Sequence, residues 1–80
     1  MKLFVKVFAT LRKKYPEVND LNPLVLEVKK GITISEILEQ LGFAISEIHL
    51  FLLNGKKVDA KTIINDNESI LSLFPPVGGG

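Results

Sequence analysis

The 80-residue sequence has no cysteine and only one histidine, His49. Without thiols there is neither a disulfide nor a thiolate metal site, and one imidazole assembles neither a metal centre nor a nucleophile–histidine pair. No metal ligands are expected, and His49 reads as an incidental strand-edge residue. An excess of one charge is also missing. Lys and Arg number 10 against 9 Asp and Glu, and the net charge of +1 argues against a clamp for nucleic acid or a membrane surface. No apolar run approaches the roughly 20 residues of a membrane span. The opening MKLFVKVFAT is broken by lysines where a signal peptide has an uninterrupted core, so a soluble, cytoplasmic protein is expected. The chain lacks internal repeats, and it lacks the G-x-G-x-x-G and Walker spacings that cradle nucleotide phosphates. Gly31, Gly42 and Gly55 read as turn or cap residues. Carboxylates do not cluster beyond Glu36 and Glu39, which capping and the helix dipole explain. The pairs Lys13-Lys14, Lys29-Lys30 and Lys56-Lys57 read as solvated surface.

What is present is one ordinary domain, 46% hydrophobic and 24% charged. A chain of this length buries only roughly 60% of its unfolded surface, so packing alone must hold it. Leu3, Val5 and Val7 alternate with Lys2, Phe4, Lys6 and Phe8, a period of two that predicts a strand with its Leu3/Val5/Val7 face inward. Residues 9–15 (ATLRKKY) predict a short helical turn, and Pro16, Asn19, Asp20, Asn22 and Pro23 a loop. LVLEV (24–28) predicts a second strand. Thr33 followed by Glu36 is a capping box, and Ile34, Ile37, Leu38 and Leu41 form one apolar helical stripe that Gly42 stops. HLFLLNGKKV (49–58) predicts two strands about the Asn54-Gly55 turn, both of whose positions tolerate positive φ. SILSLF (69–74) predicts the last strand, with Leu71 and Leu73 on one face and Ile70, Ser72 and Phe74 on the other. The order predicts an α+β domain over residues 1–74: one mixed sheet of about four to five strands with a single main helix across it.

Two features stand apart from the core. Phe4, Phe8 and Phe74 fall on the sheet face away from the helix, more aromatic surface than solvation requires, and a candidate partner-binding patch if they are neighbours. Residues 75–80 read PPVGGG. Two prolines fix φ and donate no N–H, so they end the strand and launch a stiff extended tail. At roughly 3.3 Å per residue that tail reaches about 20 Å, against a radius of gyration of about 12 Å for a chain of this length. Gly78, Gly79 and Gly80 remove every side chain, so the thread can pass a narrow channel and present its carboxylate.

VKVFATLR (5–12), ITISEILEQLG (32–42), the Asn54-Gly55 turn and FPPVGGG (74–80) together resemble the MoaD/ThiS family of ubiquitin-like sulfur carriers. Within it, the nearer likeness is to the MoaD-type small subunit of molybdopterin synthase. The resemblance implies a β-grasp fold. It implies that Gly80 is adenylated by a MoeB-type activating enzyme using ATP, then converted to a thiocarboxylate. A MoaE-type large synthase subunit, which holds the active site, would accept that tail and sulfurate a cyclic pterin phosphate, building the dithiolene that holds molybdenum or tungsten. Gly79 would complete the threadable diglycine, and Phe8 and Phe74 would match apolar docking positions. This chain would bind no cofactor and would be the non-catalytic subunit of a sulfurtransferase. Two positions depart from the pattern. Lys57 stands beside the hairpin where such carriers show an apolar residue, and Gly78 precedes the diglycine as in ThiS-type carriers.

Four functions therefore remain open at this point: a carrier for molybdopterin, a ThiS-type carrier for thiamine thiazole synthesis, a ubiquitin-like protein modifier, and a binding module with an inert tail. The chemistry of the first three is the same at its start. A carboxylate is a poor acyl donor, whereas its mixed anhydride with AMP is open to attack by sulfide, persulfide or amine.

Overall fold

The structure, a computed structural model, describes residues 1–76. The alternation of the opening segment is realised as β1 (Lys2–Val7), with Leu3, Val5 and Val7 buried. The basic stretch after it forms a 3-10 turn over Ala9–Lys13, pinned inward by the buried Leu11. β2 (Leu24–Glu27) runs antiparallel to β1, with Leu26 beside Leu3 and Leu24 beside Val5 on the inner face.

A two-residue strand, β3 (Ile32–Thr33), leads into α1 (Ile34–Leu41). The helix starts and stops as its sequence dictates. The Glu36 N–H donates to Thr33 Oγ1 at 3.1 Å, and Glu36 Oε1 accepts from the Thr33 N–H at 3.0 Å, so two helix-initial donors are satisfied reciprocally. Gly42 ends it at φ +83°, a left-handed conformation that would strain any residue with a Cβ. Between those caps Ile34, Ile37, Leu38 and Leu41 are all buried. The Tyr15 hydroxyl donates to the Leu41 carbonyl at 2.7 Å, tying the loop after the 3-10 turn to the helix end.

β4 (Leu50–Leu53) and β5 (Lys56–Val58) form the hairpin, turning through Asn54 (φ +52°) and Gly55 (φ +83°). After β6 (Ile63–Ile64) the chain returns as β7 (Ser69–Phe74) down the middle of the sheet. The strand order is β2-β1-β7-β4-β5, with β1 and β7 parallel and the other pairs antiparallel. α1 lies on one face of this mixed five-stranded sheet, and its stripe joins Leu3, Val5, Val7, Leu71 and Leu73 in a single apolar core.

One element departs from the sequence reading. β3 and β6 pair antiparallel as a separate two-stranded ribbon, Ile32 opposite Ile64 and Thr33 opposite Ile63. Two residues per strand are too few to show a period, so no alternation announces them. The second strand also stops at Glu27, although the Val28 N–H still donates to the Met1 carbonyl at 2.8 Å.

Candidate functional site

The parallel pairing of β1 and β7 decides what surrounds the root of the tail. Its register sets Val7 beside Leu73, and the Phe8 N–H continues the ladder by donating to the Leu73 carbonyl at 3.2 Å. Because Val7 and Leu73 point into the core, the next residue on each strand, Phe8 and Phe74, points to the opposite face. There the two rings stack, with centroids 4.3 Å apart and planes 8° from parallel. Across β7, Leu50 lies opposite Phe74, and the His49 N–H donates to the Phe74 carbonyl at 2.8 Å.

These residues wall a shallow, mostly apolar groove of about 440 Å³, lined by Phe8, Ala9, His49, Leu50, Phe74 and the two prolines Pro75 and Pro76. β7 ends at Phe74, and Pro75 and Pro76 follow it outside any strand along the groove wall. Val77, Gly78, Gly79 and Gly80 lie outside the described residues.

Arg12 lies over the Phe8 ring. Its Nε donates to the Val7 carbonyl at 3.1 Å, and its guanidinium carbon sits 5.6 Å from the centre of the Phe8 ring, in range for a cation–π contact. The turn that brings it there passes through Ala9 at φ +52°, a left-handed conformation costing a residue with a Cβ about 1–2 kcal/mol. A 3.9 Å contact between Arg12 and Asp20 is solvent-exposed on both sides and contributes little.

Of the three aromatics singled out in the sequence, the structure brings two together. Phe4 shares their sheet face but sits four positions from Phe8, roughly 13 Å along the strand, with Lys6 between them. Its cross-strand neighbours are Val25 and Ile70, 55% and 39% exposed. His49, read from the sequence as incidental, stands on the groove wall. Leu50 and Arg12 were not singled out at all. For Leu50 the signal is available in retrospect, because Phe51 is buried and alternation sends its neighbour to the other face. Arg12 offers no such signal, since its place depends on the positive φ of Ala9.

Among the described residues there is no group of three or more His, Cys, Asp or Glu side chains placed to hold a metal ion. No helix of the described residues is long and apolar enough to cross a membrane. What the groove offers is apolar area at the point where the C-terminal segment departs, which suits docking rather than acid–base chemistry.

Solved structures with this fold include a putative molybdopterin converting factor subunit 1 from Pyrococcus furiosus. It is 20% identical, with a TM-score of 0.73 over 96% of this chain and 99% of that one. SAMP1 from Haloferax volcanii is 22% identical, with a TM-score of 0.75 over the whole of both chains. The complex of subunits 1 and 2 of the molybdopterin-converting factor from Helicobacter pylori matches at 20% identity and a TM-score of 0.60, again over 100% of both chains. The shared architecture is the ubiquitin-like β-grasp, a mixed sheet holding one helix. No curated protein matches. The family model for ThiS matches residues 5–80, from the second residue of the inner face of β1 to the terminal glycine. The chain therefore belongs to the ThiS family, with the ubiquitin-like β-grasp fold of these structures.

Proposed function

We propose that this chain is the sulfur-carrying small subunit of a molybdopterin synthase, loaded and unloaded by partner enzymes that supply all the catalysis. The Gly80 carboxylate attacks the α-phosphate of ATP on a MoeB-type enzyme, forming an acyl adenylate and releasing pyrophosphate. A sulfide equivalent then adds to the activated carbonyl and expels AMP, leaving a thiocarboxylate. That sulfur is a soft nucleophile, delivered inside a MoaE-type large subunit to a pterin precursor. The domain contributes presentation, in the cytoplasm, with Gly79 and Gly78 giving the narrow lead to Gly80.

The observation that carries this reading is the coincidence of groove and tail root. Phe74 is both the last residue of the central strand and a wall of the groove, so a partner that covers the Phe8–Phe74 stack meets the chain where it leaves the sheet. Membership of the ThiS family supports a carrier of MoaD or ThiS type, and the likeness to the two molybdopterin converting factor structures favours the pterin pathway over thiamine thiazole synthesis. A second reading is favoured by the equally full-length likeness to SAMP1, a small archaeal modifier protein. In that case the activated Gly80 carbonyl would be taken by lysine amines in place of sulfide.

Intact mass after incubation with ATP, a MoeB-type enzyme and a sulfur donor separates the two. A gain of roughly 16 Da, one oxygen exchanged for sulfur, is expected of the carrier. Adducts on lysines of other proteins without that gain would favour the modifier, and no change with any activating enzyme would remove both.

A further inference from the structure

Of the five asparagines, Asn54 alone is followed by glycine. That pair is chemically labile, because the Gly55 nitrogen, with no side chain beside it, can attack the Asn54 carboxamide carbon. Ammonia leaves, the Asn54 side chain and the Gly55 nitrogen close a succinimide ring, and water then opens it. The opening gives either aspartate or isoaspartate, the latter with the main chain running through the side-chain carbonyl. One water is consumed and one ammonia released, with no oxidant or cofactor.

The fold holds the reacting groups apart. β7 and β5 flank β4 on opposite sides, and Gly55 leads into β5. The Asn54 carboxamide reaches the other way, to β7, where Oδ1 accepts from the Ile70 N–H at 2.8 Å and Nδ2 donates to Ser69 Oγ at 3.4 Å. The Asn54 N–H in turn donates to the Ile70 carbonyl at 2.8 Å. Asn54 thus exchanges two hydrogen bonds with Ile70, one step beyond the Leu53–Leu71 pair, its side-chain oxygen standing where a strand residue would use its backbone carbonyl.

The same network distinguishes amide from acid. The Ser69 hydroxyl, on a buried residue, already donates its proton to the Asp66 carbonyl at 2.7 Å, so it meets Asn54 as an acceptor. Aspartate at 54 keeps an oxygen for Ile70 but sets its second, protonless oxygen against the Ser69 lone pairs. Isoaspartate lengthens the backbone inside a two-residue turn and breaks the register of the hairpin.

We propose that Asn54–Gly55 is a modification site gated by folding: the native bonds from Asn54 to β7 suppress deamidation, unfolding releases it, and the product no longer clamps the start of the strand that carries the tail. A chain that has spent time unfolded would thus keep a permanent chemical mark at the hairpin. This holds whichever partner loads Gly80.

The test is incubation of the full chain at neutral pH, folded in buffer of matched ionic strength and unfolded in guanidinium. Peptide mapping then follows a gain of about 1 Da at residue 54, NH exchanged for O. Freeing the carboxamide breaks its bonds to Ile70 and Ser69, so the folded chain should deamidate about tenfold more slowly or slower still. Equal rates in the two states, or no reaction at Asn54 in guanidinium, overturn the proposal. Asn54→Asp, the product made directly, should lower the urea midpoint. Asn67→Asp should not, because Asn67 Oδ1 only accepts, from the Lys2 N–H at 2.7 Å, and the acid keeps that acceptor. An Asn54→Asp midpoint equal to that of the wild type also overturns the proposal, since the product would then clamp β7 as well as the amide does.

Discussion

Phe8 and Phe74 come from opposite ends of the sequence and stack at 4.3 Å because β1 and β7 are parallel neighbours. The centroid distance exceeds the roughly 3.5 Å of direct carbon contact, so the near-parallel rings are offset, the arrangement their quadrupoles favour. The stack leaves both rings half-buried, with apolar surface still available to a partner. The same contact that steadies the root of the tail thus forms the surface on which a partner would bear.

Phe8→Ala or Phe74→Ala should weaken binding to the activating enzyme by about 1–3 kcal/mol, read by calorimetry. Leu71→Ala, which empties a fully buried site one turn of the pleat deeper, should lower folding stability by about 2–5 kcal/mol in urea titrations. If Phe74→Ala costs as much stability as Leu71→Ala, the ring belongs to the core and not to a docking face.

Ala9→Gly should be neutral or stabilising by about 1 kcal/mol, against the usual destabilisation when Ala becomes Gly, because the left-handed turn at φ +52° no longer carries a Cβ. Thermal unfolding checks it. A clear loss of stability would mean that the conformation is not strained in solution.

The capping box makes a pH prediction. Hydrogen bonds from the Thr33 N–H and hydroxyl, with Lys29 assisting, hold the Glu36 carboxyl below its ordinary value of 4.5. A carboxylate whose pKa is depressed in the folded state contributes stability that is present above the unfolded value and lost as pH falls through the folded one. Urea titrations of wild type and Glu36→Gln should therefore differ at neutral pH and converge on acidification below about 4.5. A difference that persists unchanged into acid would place the effect elsewhere. Thr33→Ala, which removes the hydroxyl, should cost about 0.5–2 kcal/mol.

Deleting Gly80 should abolish the mass gain on loading while changing stability by no more than about 0.5 kcal/mol, since the core strand ends at Phe74. Loading that survives the deletion would show that the terminal glycine is not the activated residue.

Most of the sheet and the helix were legible because their residues repeat at the spacing of the structure they form. Leu3, Val5 and Val7 show the period of a strand, and Ile34, Ile37, Leu38 and Leu41 that of a helix between a capping box and a left-handed glycine. The Asn54-Gly55 turn was legible for a stereochemical reason. What the sequence could not show was juxtaposition. Nothing local says that residue 8 meets residue 74, or that Phe4 lies apart from both. Those facts follow from strand order and register, which are settled by pairings across the length of the chain. The β3–β6 ribbon was hidden for the opposite reason, being too short to repeat.

The central pairing of β1 with β7 joins strands that are far apart in the chain. The first strand has no lasting neighbour on that side until the last has emerged, so the sheet closes late and through long-range contacts, a topology that folds slowly. A chain interrupted before residue 69 lacks the middle strand of its sheet. The groove that Phe8 and Phe74 wall therefore exists only once β7 is in place, so any partner that reads it reads a closed sheet.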